Sequence, residues 1–213
     1  ASKCNVSRTT ILRFTKKLSL KGFGEFKVHL KMENDDSRRE TSKAVKVCMS
    51  YETMMRDMIQ QDFRPIIETI YHADRIFVYG TGMVQRTVAK EMKRLFYHGR
   101  KNFFDFNGGD EFRALLKELN NRDLLIMISV SGERESLLEF VQKAKIKNVP
   151  VISITERLKN PLAQLSDYNL YISTTAVEQN LSSVQYKSMT SYFILVEMLM
   201  LRYLEYLEEK EEL

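Results

Sequence analysis

Cysteine is scarce in this chain, and long apolar runs are missing. Cys4 and Cys48 are its two cysteines in 213 residues. They give neither a disulfide framework nor the ligand spacing of a metal site. They read as small, reduced hydrophobic side chains. No apolar stretch reaches the roughly 18–20 residues that a membrane span needs. The nearest, YFILVEMLML (192–201), contains Glu197 and runs into Arg202, so it reads as a buried or dimer-forming helix. No secretory leader pattern is visible. These absences predict a cytoplasmic protein with no membrane partner. The glycine turn GTGMVQ (80–85) lacks the third glycine of the dinucleotide fingerprint. No acidic residue closes the following strand at the usual place, Asp105 being the nearest. Neither a nicotinamide, nor any other cofactor, nor a metal is expected.

What is present is an ordinary globular composition, 44% apolar and 29% charged. The length allows one domain with a real core and a small extra module. The net charge of +5 is unevenly placed. Residues 1–34 carry eight Lys and Arg against Glu25 and Glu33, which leaves the remainder near neutral. A basic module on a near-neutral body predicts a polyanionic partner at one end.

That basic module reads as short helices. In SRTTILRFTKKL (7–18), Ile11, Phe14 and Leu18 share one face, and Ser7 can cap the start. Phe23, Phe26 and Leu30 form a second apolar pattern. The polar run NDDSRRETS (34–42) follows, and residues 35–42 are taken as a linker. From about Lys43 to His72 the pattern is helical, with Pro65 starting or kinking a second helix. Val45, Val47, Met54, Met55, Met58 and Ile59 are its apolar positions, the methionines serving as core filler.

An alternation then begins. Strands are predicted at 75–80, 101–106, 123–129, 149–155 and 169–173. Helices are predicted at 83–97, 110–119, 133–146 and near 161–165, with a long one at about 181–208 closing the chain. This order implies a five-stranded, doubly wound parallel sheet with helices on both faces. The final helix, with Val184, Phe193, Leu195, Val196, Leu199, Leu201 and Leu204, is either a dimer seam or packed against its own sheet.

The stretch ISVSGERES (128–136) places two serines and a glycine between a strand and a helix. In doubly wound sheets, ligands sit beyond the carboxyl ends of the strands, where the winding reverses. If the strand order is 2-1-3-4-5, Gly80-Thr81-Gly82 faces Ser129-Val130-Ser131-Gly132 across that point. Two helix N-termini and several hydroxyls then converge, which suits a phosphate monoester. Plain helix capping by Ser131 is the other reading of the turn.

ISVSGERES resembles the S-x-S-G-E-[TS] turn of SIS (sugar isomerase) domains, and GTGMV and VISIT are similar to their first glycine turn and following strand. NVSRTTILRFTKKLSLKGFGEFK is similar to the helix-turn-helix of RpiR-type regulators. The resemblance implies a DNA-binding head in residues 1–34, incomplete at its start, and an SIS domain with dimerising helices in residues 43–213. It implies a regulator of sugar metabolism that senses a phosphorylated sugar, binds operator DNA and forms a homodimer or higher homo-oligomer. The phosphosugar would meet Gly80, Thr81, Gly82, Ser129, Ser131, Gly132, Glu133, Arg134 and Glu178. DNA would meet Ser7, Arg8, Thr9, Thr10, Arg13, Lys16, Lys17 and Lys21, with Arg8, Thr9 and Thr10 nearest to base edges.

Two positions depart from the family. Val84 stands where a hydroxyl is common, and Arg134 stands where Thr follows Ser-Gly-Glu. Arg134 either compensates as a charged donor or points into solvent from the first helical turn. An isomerase would need a base, and Glu133, Glu178, His72 and His98 are the candidates. Both histidines end helices and read as surface or capping residues. A sensor without catalytic residues is the expected function. A phosphosugar isomerase and a scaffold with a degenerate site are the alternatives.

Overall fold

The computed structural model describes residues 42–156, 159–177 and 186–211, together with Thr15. Two compact units divide the chain, residues 1–46 and 47–213. The residues assigned to DNA contact lie outside the described residues, as does Glu178.

Helices α1 (Lys43–Gln60) and α2 (Arg64–His72) come first, with Pro65 in the first turn of α2. There a missing N–H has no cost. Then follow β1 (Arg75–Gly80), α3 (Met83–His98), β2 (Phe103–Asp105), α4 (Asp110–Glu118), β3 (Asp123–Ile128), α5 (Glu135–Ile146), β4 (Val151–Thr155), α6 (Pro161–Leu165) and β5 (Tyr168–Tyr171). The chain continues through β6 (Ala176–Val177) and β7 (Tyr186–Lys187) into α7 (Thr190–Glu211).

The five long-range strands form one parallel sheet in the order β2-β1-β3-β4-β5, the order that creates the expected switch point. β3 and β4 are buried at every residue, as their unbroken DLLIMI and VISIT runs require in a sheet covered on both faces. Strand periodicity divides the core in two. Ile76, Val78, Leu124, Ile126, Ile152 and Ile154 face α2, α3 and α7, while Tyr79, Leu125, Met127 and Val151 face α4, α5 and α6.

Two expectations need correction, and one alternative is narrowed. The last helix starts at Thr190, not near 181. Tyr186 and Lys187 instead pair antiparallel with Val177 and Ala176, held by an ion pair between Lys187 and Glu156. Of the two readings of the last helix, packing against its own sheet accounts for most of its named apolar positions within the described residues. Leu195, Val196 and Leu199 are buried there, Phe193 and Leu204 pack against it, and Leu201 is exposed. Met54 and Met58 fill the core as expected, but Val45, Met55 and Ile59 are exposed on α1. Among the described residues, no helix is long and apolar enough to cross a membrane.

Candidate functional site

β1 and β3 run side by side, Gly80 paired with Ile128, so the turns that follow them emerge together. The Thr81 N–H donates to the Ile128 carbonyl at 3.0 Å, carrying the pairing one residue beyond the strands. The Thr81 hydroxyl reaches the Ser129 Oγ at 3.4 Å. Residues 48 positions apart thus meet at the carboxyl edge of the sheet.

The two serines differ. Ser129 is buried, and its Oγ also accepts the Gly132 N–H at 3.1 Å. It closes the turn from inside. Ser131 is half-buried, and its Oγ lies 3.4 Å from the Glu133 N–H, a long and weak contact. Ser131 is therefore the hydroxyl with capacity left for a ligand.

The glycines have steric reasons. Gly132 has φ 69°, a left-handed conformation that L side chains avoid, and a Cβ there would lie 2.0 Å from the Asn160 Oδ1. A Cβ on Gly80 would lie 2.2 Å from the Gln85 backbone. That clearance lets α3 start directly above the end of β1. Gly82 is the N-cap of α3 and supplies no side-chain cap, so the first N–H groups of that helix have no side-chain acceptor there.

Arg134 is not in a helical turn. It is the extended N-cap residue of α5, with φ −67° and ψ 114°. Its guanidinium crosses the switch point and donates to the Tyr79 hydroxyl and the Thr81 carbonyl, both at 3.0 Å. A cation is thus anchored between the two turns. Val84 is half-buried and packs against the core, so it contributes nothing polar. Glu133 is exposed beside Arg134.

Three residues of the site were not singled out from the sequence. Tyr79 is the last but one residue of β1, and its hydroxyl accepts from Arg134. Asn160 caps α6 by accepting the Ala163 N–H at 2.9 Å, and it donates to the Thr155 hydroxyl at 3.0 Å. The dipeptide Asn160-Pro161 is a helix-start signal that could have revealed it. Gln85, in the first turn of α3, is 4% exposed. Beyond the serine turn, the Glu156 N–H donates to the Val130 carbonyl at 3.1 Å. Glu156 also borders a cavity of about 610 Å³, whose lining includes Ser50, Asp57, Tyr171 and Ser173.

His72 and His98 end α2 and α3, as read from the sequence. Both helices finish at the amino edge of the sheet, the length of β1 away from the turns, about 16 Å. Among the described residues, no cluster of His, Cys, Asp and Glu could hold a metal ion.

Comparison with known proteins agrees with this geometry. The SIS domain family matches residues 69–202, and the helix-turn-helix domain of the rpiR family matches residues 1–37. The HTH-type transcriptional regulator GlvR of Bacillus subtilis is 32% identical over 211 residues, which is 99% of this chain and 83% of that protein. The sugar isomerase domain of an RpiR transcription factor from Sphaerobacter thermophilus has a TM-score of 0.64 at 21% identity, over 80% of this chain and 99% of that one. The NanR protein of Vibrio vulnificus, solved in complex with ManNAc-6P, has a TM-score of 0.65 at 21% identity, over 100% of this chain and 80% of that one. With both domain families matched in this order and a full-length relative above 30% identity, the chain belongs to the RpiR family of helix-turn-helix transcriptional regulators that carry an SIS domain.

Proposed function

We propose that this regulator senses a phosphorylated sugar at the paired turns and alters its hold on operator DNA in response. The observation that carries the reading is the convergence of Thr81, Ser131, Arg134 and two helix N-termini over the β1–β3 switch point. Backbone N–H groups, neutral hydroxyls and one guanidinium form a donor set for a phosphate dianion. The cavity beside Glu156 is within the size range of small-ligand sites, and its hydroxyls and carboxylates suit the hydroxyl groups of a sugar. The sugar phosphate bound by NanR belongs to the same chemical class.

Residues 1–34 are the proposed DNA-binding module, 35–42 the linker, and 43–213 the sensing domain. Arg8, Thr9, Thr10 and Arg13 would read bases, and Ser7, Lys16, Lys17 and Lys21 would contact phosphates. We propose a cytoplasmic homo-oligomer without enzymatic activity. Both histidines lie at the far edge of the sheet, and an attached DNA reader gives ligand binding a use that needs no turnover.

The test is an anisotropy titration of a DNA site that the full chain selects from a random pool. It is run with each of a set of phosphorylated sugars and with their unphosphorylated parents. One phosphosugar is expected to change DNA affinity by roughly 5–150-fold, the usual span of allosteric coupling. Identical affinity in every case would sink the sensor reading. In the same assay, replacing both Lys16 and Lys17 by Ala should reduce the slope of log K against log salt by about 2.

A further inference from the structure

Ten large apolar side chains are exposed among the described residues, and four of them, Val45, Met49, Met55 and Ile59, lie on α1. Single exposed apolar residues are ordinary on a protein surface, but a row of them on one helix marks a contact face. α1 sits on the core through Met54 and Met58, with Val47, Ser50 and Tyr51 half-buried on the same side. Its opposite side carries Val45, Met49, Glu52, Arg56 and Ile59, all exposed.

These five residues follow one another at spacings of four, three, four and three. That is the spacing of the a and d positions of a heptad, the seam along which two helices pack. The seam is apolar at Val45, Met49 and Ile59 and charged at its centre, at Glu52 and Arg56. Neither Glu52 nor Arg56 takes part in the ion pairs of the described residues.

The two central charges identify the occupant. Against a parallel second copy of α1, Glu52 would meet Glu52 and Arg56 would meet Arg56, and like charges would repel. Against an antiparallel copy centred at the level of Met54, Glu52 of each chain faces Arg56 of the other. The same register sets Met49 of each chain against Ile59 of the other. One two-fold axis therefore satisfies all four side chains, with two opposite-charge pairs at the centre and an apolar layer on either side. Such self-complementarity is what a closed two-fold interface requires. Polar residues at seam positions fix orientation and register in helix pairs.

We propose that α1 is the face through which two copies of this chain pair, antiparallel, along the seam from Met49 to Ile59. The inference rests on the homo-oligomer reading above and names its surface, on the first described helix and not on α7.

The test is sedimentation equilibrium of the full chain at micromolar concentrations. It compares wild type with Glu52→Arg, with Arg56→Glu and with the variant that carries both changes. Both side chains are exposed, so all four proteins should fold alike, which circular dichroism checks. Wild type should be a dimer. Each single reversal sets four like charges at the centre of the seam and should weaken the dimer by about 10-fold or more. The double reversal restores opposite charges and should recover most of that loss. Dimers that are indifferent to every reversal would overturn this face and leave the homo-oligomer reading standing. A wild-type monomer would overturn both. Single variants that dissociate without recovery in the double variant would overturn the antiparallel register.

Discussion

Gly132→Ala should disable the site and cost about 2–5 kcal/mol of stability. The left-handed backbone at φ 69° accounts for about 1–2 kcal/mol of that with any L side chain. The rest comes from overpacking, because the new Cβ would stand 2.0 Å from Asn160 Oδ1 and 2.6 Å from its Cγ. Asn160 cannot move away freely. It caps α6 and bonds the Thr155 hydroxyl, and the Leu162 N–H donates to the Gly132 carbonyl at 3.1 Å. Two turns are therefore locked together at this glycine. Thermal denaturation should show a fall of roughly 5–15 °C at this chain length. Adding Asn160→Ala to Gly132→Ala should recover part of the loss, because it removes the clashing atoms. A double-mutant cycle with no coupling between the two positions would show that the contact does not shape the turn.

Asp123→Ala should be the most damaging change away from the turns, at about 2–4 kcal/mol. The Asp123 side chain is fully buried at the start of β3, and its two oxygens take the Arg75 Nε and a terminal guanidinium nitrogen, both at 2.8 Å. One oxygen also accepts the Asn120 N–H at 2.8 Å. Removing the carboxylate leaves that N–H without its acceptor and the guanidinium with only the Glu118 carbonyl, between the first residues of β1 and β3. The cost is held below that of a fully enclosed pair because Arg75 is 38% exposed. Asp123→Asn should lose less, since the amide oxygen can keep the Asn120 N–H. Urea denaturation of the three proteins measures this order. Equal stability of wild type and Asp123→Ala would mean that the pair does not hold the two central strands in register.

The parallel sheet was legible because each predicted strand is followed by a helical pattern, whereas the order 2-1-3-4-5 entered as a supposition that the pairing bears out. The turn was legible because Ser-Gly between strand and helix has few structural uses. The glycine of that turn, Gly132, has a φ of 69°. What was not legible is long-range. Arg134 meets Tyr79 across 55 positions, and Asn160 lies against Gly132 through contacts that no periodicity records. One reading of Arg134 set it in the first turn of a helix predicted over 133–146. The backbone stays extended until Glu135. The start of α7 was also placed too early, near 181 rather than at Thr190. Helical spacing around Tyr186 concealed a two-residue pairing with β6, which is fixed by Lys187 and Glu156.

The central claim is that the paired turns, Thr81 on one side and Ser129–Gly132 on the other, bind the phosphate of a sugar. The most direct test is a thermal-shift titration of the full chain with phosphorylated sugars, their parents and inorganic phosphate, repeated on Ser131→Ala. At 100 times its Kd, a ligand that binds only the folded protein adds about 2.7 kcal/mol. One phosphosugar should stabilise wild type by that amount, its unphosphorylated parent should have no effect, and Ser131→Ala should lose most of the gain. A phosphosugar that stabilises Ser131→Ala as well as wild type would contradict the assigned site.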